Sequence, residues 1–72
     1  MNVHYDKKVD ALSIRFNSEP YVESEELEDG IIFDYDKNHK VIAIEILQAS
    51  KKLPENFEKV GLQNLTGFTV SE

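Results

Sequence analysis

Ile31-Ile32-Phe33-Asp34-Tyr35-Asp36-Lys37-Asn38-His39-Lys40-Val41-Ile42-Ala43-Ile44-Glu45-Ile46-Leu47 decides how this chain folds. Two β-branched and aromatic runs flank four polar residues, the signature of a hairpin. A two-residue turn at Asn38-His39 sets Tyr35 opposite Ile42, Phe33 opposite Ile44 and Ile31 opposite Ile46. All six then share one face. Asn38 suits the positive φ that such turns require, and His39 is tolerable at the second position, where Gly would be better. A slip of one residue would push Asp34 toward the core, where an unpaired carboxylate is costly. The expected inner face is therefore Ile31, Phe33, Tyr35, Ile42, Ile44 and Ile46. Asp34, Asp36 and Glu45 point outward, together with Ile32, Val41, Ala43 and Leu47. So many apolar residues on an outer face call for cover by the helix or by another chain.

Upstream, Val3 and Tyr5 alternate with polar residues, Asp6 to Asp10 form a turn, and Leu12, Ile14 and Phe16 repeat with period two. This predicts a second hairpin, ended by Asn17-Ser18-Glu19-Pro20. Tyr21 to Leu27 alternates poorly, and Asp29-Gly30 supplies a tight turn before Ile31. Downstream, Ser50 is placed to cap a turn. Pro54 suits the start of a helix over about 54–60, with Leu53, Phe57 and Val60 on one side and Gly61 as its stop. Thr66 to Val70 reads as a short strand or as a segment ordered only against a neighbour. The expected fold class is α+β: an antiparallel meander of about five strands with a short C-terminal helix on one face. With 72 residues it forms a single domain, residues 1–72.

Fourteen Asp and Glu stand against eight Lys and Arg, for a net charge of −6, and cysteine is absent. Thiolate metal sites and disulfide frameworks are excluded. The acidic balance and the single arginine argue against nucleic acid as a partner. No run reaches the length of a membrane span, and Met1 to Asp10 lacks the apolar core of a signal segment, so a cytoplasmic location is expected. A chain this small buries a modest fraction of its surface, which makes association with a second chain a natural source of further burial.

Residues 19–36 hold eight carboxylates and no basic residue. Pairing Glu26 with Ile31 would set Glu23 opposite Asp34 and Glu25 opposite Ile32, so like charges would meet across the ladder. Screening by solvent, a basic partner or a cation would relieve this. The cluster Glu23, Glu25, Asp34, Asp36 and Glu45 is therefore the candidate site. It is read first as a docking surface for a basic partner. The alternative is a divalent-cation site, or a metal-assisted enzyme using Glu23, Asp34, Asp36 and Glu45. No catalytic residue, cofactor or metal is assigned. His4 and His39 are read as exposed, and no motif sets Ser13 or Ser24 beside them as a nucleophile.

Four blocks in order resemble the family of short prokaryotic proteins known as domain of unknown function 2283. They are Tyr5-Asp6 with Asp10-Ala11-Leu12; Val22 to Glu26; Gly30 to Asp36; and Ile42 to Leu47 with Ala49-Ser50-Lys51. The resemblance covers about residues 3–53 and leaves 54–72 as helix and tail. It implies a compact antiparallel sheet with a helical C-terminal segment and no established activity. Some members are encoded beside small toxin-like proteins, which implies an antitoxin or partner-binding role. Together these readings point to a small acidic interaction module, with a second copy or a small protein as partner.

Overall fold

A computed structural model describes residues 1–72. In chain order the elements are β1 (Asn2–Asp6), β2 (Ala11–Arg15), β3 (Glu23–Glu28), β4 (Ile31–Tyr35), β5 (Val41–Leu47), α1 (Ala49–Lys52), α2 (Phe57–Asn64) and β6 (Phe68–Ser71). They form one six-stranded sheet in the order β3-β4-β5-β2-β1-β6. This is the α+β antiparallel sheet that the alternation predicts, with two additions. The tail supplies a sixth strand, β6, parallel to β1. The β3-β4-β5 meander also folds back, so that β5 lies beside β2.

The hairpin that decides the fold keeps its phase: Ile31 faces Ile46 and Phe33 faces Ile44. Its turn differs from expectation. Asp36 and Lys40 close a three-residue loop, and His39, not Asn38, takes the left-handed conformation at φ 62°. The Asp36 carboxylate accepts from the backbone N–H groups of Asn38 (2.8 Å) and Lys40 (3.0 Å), and so satisfies donors that a tighter turn would have paired internally. The added loop residue shifts the register, and Tyr35 faces Val41 instead of Ile42. Ile42 is the extra residue of the resulting bulge, and its side chain is 1% exposed.

Residues paired across a ladder point to the same side. One row on the inner side therefore runs across all six strands: Phe68, Val3, Ile14, Ile44, Phe33, Glu25. A second runs Val70, Tyr5, Leu12, Ile46, Ile31, Glu28. Leu53 and Phe57 pack on the β6-β1-β2 end of these rows, and the Phe57 ring meets Tyr5 edge-on at 4.8 Å. Gly61 does not end its helix. It lies within α2 under the Phe68 ring, which occupies the space a Cβ would need. The helix also starts later than expected, because Pro54 opens a separate turn closed by Phe57 N–H to the Pro54 carbonyl at 3.0 Å.

The outer side carries no second layer. Ala43 is nevertheless buried, since its ladder neighbours are Arg15 and Asp34, whose longer side chains flank it. Polar neighbours, and not the helix, thus account for part of the apolar pattern there. Val41 does not lie on the outer side as expected: the bulge pairs it with Tyr35 on the inner side, where it is 36% exposed.

Ser50 caps nothing itself. Asp10, forty residues earlier, caps the segment instead: its carboxylate accepts from Ser50 N–H (3.0 Å), Ser50 Oγ (2.6 Å) and the Tyr5 hydroxyl (2.6 Å). Its carbonyl also accepts from Ala49 N–H at 2.9 Å. Ser50 and then Tyr5 hold the Asp10 carboxyl below its ordinary range, and the bond to Asp10 is the chief reason the Tyr5 phenol is pushed up to about 12. A depressed carboxyl contributes stability above its unfolded value and loses it as pH falls through the folded one. Melting temperature should therefore drop below about pH 4. An Asp10→Asn variant should melt lower at neutral pH and show less of that acid-side drop. Thermal melts across a pH series, followed by circular dichroism, check both.

Candidate functional site

The five carboxylates singled out from the sequence do not form one cluster. The β3-β4 register differs by one residue from the expected pairing: Glu26 faces Ile32, Glu25 faces Phe33, Ser24 faces Asp34 and Glu23 faces Tyr35. A one-residue difference moves every side chain of a strand to the opposite side. Glu23 and Glu25 consequently lie on the inner side, while Asp34 and Glu45 lie on the outer side, and Asp36 is engaged in its turn. The like-charge encounter of Glu23 with Asp34 does not occur. Asp34 instead accepts a 2.6 Å hydrogen bond from Ser24 Oγ. No group of three or more His, Asp and Glu side chains converges in a way that could hold a metal ion. Glu23, Asp34, Asp36 and Glu45, the carboxylates on which the cation reading rests, do not share one side of the sheet.

The register produces a different arrangement. Beyond Glu26 a second irregularity sets Glu28 opposite Ile31, so Glu23, Glu25 and Glu28 all edge the inner side. Every residue of β3 is exposed. None of the three glutamates pairs with a lysine or arginine. Glu23 stands 3.6 Å from His39 Nδ1, and Glu25 accepts from the Tyr35 hydroxyl at 3.1 Å. Burial, followed by the hydrogen bond to Glu25, raises the Tyr35 phenol above its ordinary value. The His39 ring stacks on Tyr35 with centroids 4.6 Å apart. Glu28 was not among the residues chosen from sequence. Its only trace there was the failed alternation around Leu27, which is what a bulge leaves in a strand pattern.

Between this acidic edge and the helices lies an uncovered apolar strip. Phe33 and Ile44 are half-buried and stand outside the packed cluster. The strip continues into an open groove of about 630 Å³ beside α2, whose walls include Met1, Ile14, Phe16, Phe57, Val60 and Leu65. Asn56 and Asn64 are its only polar side chains. Phe16 is 45% exposed and Val60 51%. The inner side thus grades from apolar and covered, through apolar and open, to acidic.

The histidines do separate things. His4 is half-buried on the outer side, with Nδ1 hydrogen-bonded to Thr69 Oγ1 (2.6 Å) and Nε2 to Ser71 Oγ (3.0 Å). It fastens β6 to β1 and is not freely exposed. Ser13 is its ladder partner on β2, but both ring nitrogens are already engaged, so the pair is not set up as nucleophile and base. His39 is exposed, as expected.

No curated protein and no solved structure matches the chain. A family model described as "Protein of unknown function (DUF2283)" matches residues 2–50, from β1 into α1, and leaves α2 and β6 outside. That match spans most of the chain and all five strands that precede α1, so the chain belongs to this family of unknown function.

Proposed function

We propose that the chain is a small acidic protein-interaction module and not an enzyme. One observation carries this reading: two rows are apolar across five strands and end in glutamate on β3, yet the core cluster under the helices reaches only as far as Ile46 and leaves Ile44, Phe33 and Ile31 outside it. A sheet face of this kind is normally buried against another element, and here the missing cover would come from another chain. The partner is a second copy or a small basic protein, and the role is antitoxin-like where that protein is a toxin. Eight carboxylates over residues 19–36 would repel phosphate backbones and anionic lipid surfaces, so neither serves as the partner. A cysteine-free chain is suited to the cytoplasm, where we place it.

Ile44, in the middle of the open strip, is the residue to change. Wild type and an Ile44→Asp variant, each verified as folded by circular dichroism, are immobilised in extract of the native host and also examined by light scattering. The wild type should dimerise or retain a discrete protein, and the variant should lose that association. A wild-type chain that stays monomeric and retains nothing beyond what the variant retains contradicts the proposal.

A further inference from the structure

The uncovered strip has a width, a direction and a charge on one side, and these features specify an occupant. Resting on the interaction reading above, we infer that the strip over β5, β4 and β3 docks a cationic amphipathic helix of a partner protein. Adjacent strands lie about 4.8 Å apart, so three strands make a floor roughly 10–14 Å wide. A single helix with its side chains is about 10 Å across. Ile44, Phe33 and Ile31 would receive its apolar stripe. The groove beside α2 would take larger side chains along one flank, next to Phe16 and Val60.

The other flank would face Glu23, Glu25 and Glu28. Residues two apart on a strand are separated by about 6.6 Å, and residues four apart on a helix by about 6 Å. A helix lying along the strands with lysine or arginine every fourth residue would match this glutamate spacing. The carboxylates have no lysine or arginine of their own chain to displace. A second copy fits the same strip less well: each chain carries −6, and face-to-face docking would bring two such charges together.

The test uses short helical peptides as probes. One has leucines along one face and lysines along a flank; its twin has glutamate in place of each lysine. Binding is read by fluorescence anisotropy, and its location by isoleucine methyl shifts. The lysine peptide should bind, should weaken with salt, and should bind at least about tenfold more tightly than the glutamate peptide. Its shifts should fall on Ile31 and Ile44 and spare Ile32, which faces outward beside Glu45. Reversing the rail (Glu23→Lys, Glu25→Lys and Glu28→Lys together) should cost about tenfold or more. Making the same change in net charge elsewhere (Glu19→Lys, Asp29→Lys and Glu45→Lys) should cost far less. Equal binding of the two peptides, or equal losses in the two triple variants, overturns the inference. A dimer that shields Ile44 and excludes the peptide also overturns it, while leaving the interaction module intact. Shifts confined to Ile32 would overturn both.

Discussion

Replacing Phe68 with alanine is expected to cost about 3–5 kcal/mol, the usual range for deleting a buried aromatic ring. For a chain of this size the folding free energy, at roughly 0.05–0.15 kcal/mol per residue, comes to about 4–11 kcal/mol, so the loss is about a quarter of it or more. The ring joins three elements. It belongs to the core cluster with Val3 and Ala49, and it lies against Gly61 where α2 passes closest. β6 is otherwise held by its parallel pairing with β1, flanked by Val3 N–H to the Gly67 carbonyl (3.3 Å) and Lys7 N–H to the Ser71 carbonyl (2.9 Å), by Val70 against the core, by the His4 clasp on the outer side and by the Lys7–Glu72 ion pair (3.1 Å). Removing the ring should loosen β6 and α2 together. Urea unfolding should show a lower midpoint, and hydrogen exchange should show lost protection over 57–71 while β4 and β5 keep theirs. A cost under about 1 kcal/mol would mean that this segment is not part of the cooperative fold.

Ile42→Ala should be nearly as damaging, at about 2–5 kcal/mol. Ile42 is the one large side chain that is fully buried, and it sits at the β5 bulge. Its carbonyl also accepts the Phe16 N–H at 2.8 Å, the bond that continues the β2-β5 pairing past Arg15. Ile44→Ala, two residues along the same strand, should cost clearly less, because that side chain is half-exposed on the open strip. Parallel urea titrations of the two variants make the comparison. Equal losses would place Ile42 and Ile44 in equivalent environments, and the bulge could not then sit between Asp34 and Tyr35.

The inner side of the 31–47 hairpin could be read from sequence because both runs alternate and any slip buries a carboxylate. The bulge could not. Lys37-Asn38-His39-Lys40 accommodates either a two-residue or a three-residue loop, and the choice depends on Asp36 turning its carboxylate onto the loop backbone. β3 was harder still. Glu23-Ser24-Glu25-Glu26-Leu27-Glu28 has no apolar alternation, so no hydrophobic penalty selects its register, and the side occupied by its glutamates follows from pairing alone. Two further features depend on contacts between residues far apart in sequence. One is the parallel pairing of β6 with β1; the other is the capping of Ser50 by Asp10. Local patterns do not encode either. The candidate surface was thus half legible: its apolar part follows from alternation, and its acidic edge required the three-dimensional register.

The core cluster under the helices takes in Ile46 of β5 and leaves Ile44, Phe33 and Ile31 of the apolar side open. The most direct measurement is paramagnetic relaxation of isoleucine methyls by a dissolved neutral probe, recorded on the protein alone at a dilution where light scattering shows a monomer. Ile31 and Ile44 should relax strongly, and Ile42 should stay protected. Protection of Ile31 and Ile44 equal to that of Ile42 would show that the monomer already covers this strip, and it would remove the docking surface.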